Sequence, residues 1–369
     1  MTSLFDETKL GGVTLANRMV MAPLTRNRAD PEGVCGALAA TYYGQRASAG
    51  LIISEGIQPS ALAQGFFGTP GLHEEDQITA WREVTDRVHA YGGVIYAQLM
   101  HAGRIGHPEL RRHSSIPAGL LPMAPSAILP KGICKTYDGP RELLTPREMT
   151  AADIATTISD FATGAANAIK AGFDGVELHG ASGVLLHQFL ADGSNQRTDR
   201  YGGSTANRMR FVVEVTEAVA EAIGPDRVGV RFSPSSTFGD ISQSDIDQLY
   251  PALTRELAVL GISFLHIYEC CDRPLTQRLR ALWPATFVVN PHVDDRRAPS
   301  SLAAAEQLLA EDLADLVAFG RLFVSNPDLP RRFRDGLPLA EFDPDTFYGG
   351  GHHGYTDYPA YALAERTPR

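Results

Sequence analysis

The chain predicts an α/β fold: one (β/α)8 TIM barrel. Eight short apolar runs recur along its 369 residues, each is separated from the next by room for a helix, and polar residues gather just past the run ends. The runs are Arg18–Leu24, Gly50–Glu55, Gly93–Leu99, Asp174–His179, Val228–Phe232, Ser263–Tyr268, Thr286–Asn290 and Leu316–Gly320. A parallel barrel builds its active site from the loops at the carboxyl ends of the strands, so chemistry-bearing side chains belong there. Here those ends carry Thr25, Glu55, Gly56, Gln98, His179, Arg231, Asn290, Gly320 and Arg321. Donors are plentiful and no set of carboxylates surrounds a metal position. The pattern predicts an anionic or carbonyl-rich ligand and no metal.

Helical patterns fall where the barrel needs them. Asp76–Tyr91 sets Ile78, Trp81, Val84, Val88 and Tyr91 at spacings of three and four, an amphipathic stripe. Thr150–Ala171 and Thr205–Ile223 follow the same rule, and Gly172 takes the position of a C-cap before the fourth strand. Two stretches exceed a minimal barrel. Residues 104–148, punctuated by Pro108, Pro117, Pro122, Pro125, Pro130 and Pro140, form an insertion after the third strand, the kind of βα segment that acts as a lid. The tail from Phe342 to Arg369 is a Gly- and Tyr-rich closing segment.

Length and composition fit a single domain over residues 1–369, because barrels exceed 250 residues with insertions and no linker-like composition shift is visible. The formal charge of −10 without a dense Lys/Arg run excludes nucleic acid and anionic membrane as expected partners. No apolar stretch long enough for a bilayer and no secretory leader is visible, which predicts a cytoplasmic enzyme for a small-molecule substrate, monomeric or homodimeric. Cys35, Cys134, Cys270 and Cys271 have neither disulfide nor zinc spacing and read as reduced thiols.

The most specific segment runs from Gly172 to Arg210. It contains Gly-Phe-Asp-Gly-Val-Glu-Leu-His179, Gly-Ala-Ser182-Gly-Val184, Gln188-Phe189-Leu190 and Ser194-Asn195-Gln196-Arg197-Thr198-Asp199-Arg200-Tyr201-Gly202-Gly203. A histidine ending an apolar strand three residues before a serine aims two donors at one substrate oxygen. Together with Asn17–Arg26, Tyr43–Ala47, Gln98–Arg104, Ala124–Ala127, Ala318–Arg321 and Tyr355–Pro359, this segment resembles the old yellow enzyme family of FMN-dependent ene-reductases over nearly the whole chain. The resemblance implies an FMN barrel that takes hydride from NADPH or NADH and passes it to an activated C=C bond.

It also implies residue roles. Pro23, Leu24 and Thr25 would lie along the isoalloxazine, with the Thr25 hydroxyl donating to a flavin carbonyl. Gly56 would let backbone approach the ring, and Gln98 would pair with its pyrimidine edge. Arg231 would stabilise negative charge on reduced flavin, while Asn290, Gly320 and Arg321 would belong to the cofactor's end of the barrel, Arg321 on phosphate. His179 would polarise the substrate's carbonyl or nitro oxygen with Ser182 beside it, where relatives carry Asn or His. Phe66, Met100, Val184 and Tyr355 would contact substrate, and Tyr268, Cys270, Cys271 and Tyr355 are the positional candidates for a replacement acid.

Two departures from the family pattern are visible. Val184 stands where relatives carry the tyrosine that protonates the α-carbon, and valine has no proton to give. The strand-seven loop reads Val289-Asn290-Pro291-His292-Val293-Asp294-Asp295-Arg296-Arg297; Pro291 removes a backbone donor and the aspartates repel phosphate, with Arg296 or Arg297 to compensate. Three readings follow: an ene-reductase with altered protonation, a pathway-specific flavin dehydrogenase or double-bond isomerase, and a non-flavin barrel hydrolase or binding protein. A metal hydrolase of the amidohydrolase kind wants His-x-His at the end of strand one, where this chain has Pro23-Leu24-Thr25.

Overall fold

A computed structural model of the chain describes residues 2–113, 116–270, 272–292 and 298–361. Eight parallel strands close on themselves: β1 (Met19–Met21), β2 (Leu51–Ile57), β3 (Ile95–Leu99), β4 (Gly175–Gly180), β5 (Val228–Phe232), β6 (Phe264–Tyr268), β7 (Thr286–Asn290) and β8 (Leu316–Phe319). All eight expected runs are strands, six of them with shifted ends. Proline has no N–H for the ladder, so β1 stops at Met21, short of Pro23. β2 runs beyond Glu55 to Ile57 through an irregularity between Ile53 and Gly56.

The alternation of side chains along the strands makes two cores. Val20, Ala22, Leu51, Ile53, Tyr96, Phe264, Val288, Leu316 and Ala318 fill the barrel together with Leu10 and Leu15. The last two come from an N-terminal hairpin, Thr8–Leu10 paired with Val13–Leu15. The opposite faces, among them Met21, Ile52, Leu178 and Val230, pack outward on the helices. Tyr96 and Phe264 find room inside because two neighbours have no side chain: a Cβ on Gly175 would meet the Tyr96 ring at 2.4 Å, and one on Gly229 would meet the Phe264 ring at 2.1 Å.

The helical expectations hold within a residue or two. Helix α1 (Leu38–Gly44) precedes β2, and α2 (Glu75–Ala90) buries Ile78, Trp81, Val84 and Val88. Tyr91 is a correction: it lies past the helix end and is 63% exposed, so it is not part of the stripe. Helix α3 (Ala151–Lys170) opens with the Thr150 hydroxyl accepting from the Asp153 N–H, and Gly172 follows it at φ +91°, where a side chain would be strained. Short α4 (Leu185–Leu190) and long α5 (Thr205–Ile223) come next. Residues 104–148 carry a hairpin, Ile133–Thr136 with Gly139–Glu142, and a short pairing of Met123–Ala124 with Arg147–Glu148. No described helix is long and apolar enough to cross a membrane.

Candidate active site

The carboxyl ends of the strands open into a cavity of about 840 Å³, and a neighbouring recess of about 160 Å³ shares Pro23, Arg231 and Tyr268 with it. Period-two alternation puts Gln98 on β3, His179 on β4, Arg231 on β5, Tyr268 on β6 and Asn290 on β7 at the inner rim. The register sets His179 beside Arg231 and Tyr268 beside Asn290. Thr25, Phe66, Met100, Ser182 and Val184 complete the cavity from the loops. Leu24, Asn290, Gly320 and Arg321 line the recess with Ser300. Most of the residues singled out from sequence are therefore brought together; Glu55 and Cys270 are buried and line neither space, and two further residues are exceptions.

Tyr355 is the first. It does not line the cavity: it is 1% exposed, stacks on Tyr42 with ring centroids 4.2 Å apart, and lies under the guanidinium groups of Arg26 and Arg28 at 5.1 and 4.3 Å. Gly56 is the second. A Cβ there would meet Met100 Sδ at 2.9 Å, so its bareness makes room for the Met100 side chain. Cys271 and the Asp294, Asp295, Arg296 and Arg297 of the strand-seven loop lie outside the described residues.

The electrostatics are those of a site built for a polar, electron-rich guest. Burial holds the His179 pKa well below that of an ordinary histidine, helped by the nearby Arg231, His187 and His266, so the imidazole is neutral. Its Nδ1 is buried without a partner, as is Arg231 Nε. Arg231 is otherwise held by Asn290, whose Oδ1 accepts from Nη2 at 3.4 Å while its Nδ2 donates to the Ala318 carbonyl at 2.9 Å. Ser182 adopts a left-handed backbone, φ +49°, and its N–H donates to Ser233 Oγ at 2.8 Å. Phe66, Met100, Ala102, Ile105 and Val184 form an apolar cluster on the wall. Among the described lining residues there are three cations, Lys131, Lys135 and Arg231, and no carboxylate.

Sequence reasoning missed Lys131 and Lys135, Ser236–Gly239 after β5, and Tyr348, all in the cavity wall. It also assigned nothing to Glu177 and His266, which lie one interior layer below the rim. Their signal was present: each stands two residues before a rim residue, His179 and Tyr268, on the same face.

The fold and this donor set are those of a barrel that binds a polar ligand at its strand ends. Residues 3–340 match the NADH:flavin oxidoreductase / NADH oxidase family. The chain is 41% identical to flavin oxidoreductase hxnT of Emericella nidulans, over 96% of this chain and 97% of that one. It is 39% identical to 12-oxophytodienoate reductase 1 of Oryza sativa subsp. japonica, over 96% and 92%. Morphinone reductase in complex with tetrahydroNAD superposes with a TM-score of 0.92 at 40% identity, covering 99% of each chain. The old yellow enzyme homologue of Zymomonas mobilis gives 0.91 at 38%, covering 97% of this chain and 100% of that one. The chain belongs to the old yellow enzyme family: it is an FMN-dependent oxidoreductase acting on C=C bonds.

The residues present fit that cofactor. His179 and Arg231, each with a buried polar atom left without a partner, line a cavity that shares Pro23, Arg231 and Tyr268 with a recess lined by Arg321, a donor set that suits a planar ring with a phosphate tail.

Proposed function

We propose that the enzyme reduces the C=C bond of α,β-unsaturated carbonyl or nitro compounds, with NADPH or NADH as reductant, and that the proton for the α-carbon comes from water and not from residue 184. Bound FMN supplies the hydride. Pro23, Leu24, Thr25, Gln98 and Arg231 would hold its ring, and Asn290, Gly320 and Arg321 would hold its tail. His179 acts as a neutral donor to the substrate oxygen and gains strength as enolate charge develops there. Ser182 lines the same wall and offers a second, shorter donor.

The observation that carries the reading is the wall around position 184. Val184 is 2% exposed among Phe66, Met100, Ala102 and Ile105, none of which has a proton to give. Substrates with an apolar face on that side fit it best. The insertion 104–148 reaches the cavity through Ile133, Cys134 and Leu143, which supports its role as a lid over bound substrate.

The test is Val184→Tyr. Restoring an acid is expected to raise the oxidative half-reaction with a simple enone by roughly 10²-fold, the lower bound for general acid catalysis, and to cut its solvent isotope effect. No gain, with FMN and substrate binding intact, would mean that protonation is not what Val184 changes, and would favour dehydrogenation or isomerisation.

A further inference from the structure

Beneath the rim, three barrel strands meet at a buried carboxylate. Glu177 of β4 is 0% exposed and both its oxygens are engaged. Oε1 accepts from Gln98 Nε2 at 2.7 Å, and Oε2 lies 2.7 Å from His266 Nδ1. The β3–β4 register sets Gln98 directly beside Glu177, and Ser54 Oγ accepts the Gln98 backbone N–H at 3.0 Å. A carboxylate acceptor selects the His266 tautomer protonated on Nδ1. Burial lowers the His266 pKa, so the ring is neutral and Nε2 is left as a buried acceptor without a partner. Arg231, adjacent to His266 in the register, feels Glu177 as the foremost charge opposing its own desolvation.

We infer that Glu177 is a positioning residue for the cofactor: it fixes the Gln98 amide with its nitrogen committed to the barrel interior, so that Oε1 is the acceptor offered to the flavin's imide N–H, and its charge offsets Arg231. An amide is symmetric in shape but not in polarity, and an unanchored glutamine presents either end. Glu177 removes that choice. The negative charge one layer below the ring also keeps the reduced, anionic flavin from being held too firmly by Arg231, which leaves it able to release hydride. His266 completes the device by occupying the second oxygen, so the carboxylate cannot turn away from Gln98. This inference rests on FMN as cofactor and not on the identity of the alkene.

The experiment compares FMN-loaded wild type with E177Q, which keeps the side-chain volume and removes the charge. The FMN dissociation constant is expected to rise at least about tenfold, the loss expected when a supporting partner of a bound group is removed. The flavin midpoint potential should move upward by about 30 mV or more, a tenfold shift for a two-electron couple. In a Q98A background the affinity effect of E177Q should largely vanish, because Glu177 acts through Gln98. A lowered melting temperature with unchanged potential and affinity would overturn the proposal, because that is what a purely structural carboxylate gives. Reconstituting the wild-type apoprotein with flavin methylated at the imide nitrogen needs no variant to fold. Binding at least about tenfold weaker than FMN is expected, and equal binding would overturn the proposed amide orientation.

Discussion

In the proposed reaction His179 would act as a neutral donor, because burial holds its pKa well below that of an ordinary histidine. A protonated imidazole beside Arg231 would repel the cation, whereas the neutral ring would donate one proton toward developing negative charge. Replacing it by alanine is expected to lower turnover of an enone about 10²–10³-fold while FMN stays bound, as read by steady-state rates and flavin absorbance. Placement at the cavity was legible where chemistry and strand-end position coincide, as at His179, Arg231 and Gln98. It was not legible at Tyr355: a tyrosine in a closing tail looks the same in sequence whether it faces a ligand or stacks on Tyr42. Glu177 escaped for the opposite reason. Its meaning depends on Gln98 and His266, both far away along the chain, and only the closure of the barrel brings the three together.

At the scale of elements, buried arginines tie α1, the segment after β8 and the tail together, Arg46 reaching the tail through the Tyr355 carbonyl at 3.5 Å. Arg46 is 0% exposed and donates to the Phe323, Tyr42 and Val324 carbonyls, each at 2.7 Å. Arg26 donates to Gly354 O at 2.8 Å and Phe347 O at 3.0 Å. Arg46→Met leaves several carbonyls buried without donors, and at about 1–3 kcal/mol for each unsatisfied group it should cost roughly 3 kcal/mol or more in denaturant unfolding. Gly175→Ala tests the barrel interior in the same assay. Its methyl would meet the Tyr96 ring at 2.4 Å and the Arg227 carbonyl at 2.5 Å, so a loss of about 1–3 kcal/mol from overpacking is expected. The strands were readable from their apolar runs and spacing. Their ends were not, because the stop before Pro23 and the irregularity in β2 are set by ladder hydrogen bonds and not by hydrophobicity.

For the whole molecule, pH dependence follows from its buried titratable groups. Burial lowers the pKa of His101 to about 3 and of His187 to about 4, and raises that of Glu55 to about 7. The unfolded chain binds protons at these histidines below about pH 6.5 and the folded one does not, so their contribution to stability is present above that pH and declines as pH falls toward 4. Each histidine costs about 2 kcal/mol between pH 7 and 5, and Glu55, whose raised pKa favours the folded state at lower pH, offsets about one of them. His73, His179 and His266 are shifted in the same direction, so net stability should fall as pH drops from 7 to 5, with the melting temperature following it down. Charge has a second consequence. The chain carries −10 overall, yet the described residues of the cavity wall present cations and no carboxylate, so the KM for NADPH or NADH should rise with ionic strength as steering is screened.

The central claim is that this barrel completes alkene reduction without an acid at position 184. It is tested most directly by reducing the FMN-loaded enzyme anaerobically with NADPH or NADH, mixing it with 2-cyclohexenone in a stopped-flow instrument and following the flavin absorption. Reoxidation that gives saturated cyclohexanone with an α-hydrogen drawn from solvent, and that carries a solvent isotope effect, is the predicted result. Reduced flavin that persists in the presence of enone, reoxidised by no activated alkene, would contradict it.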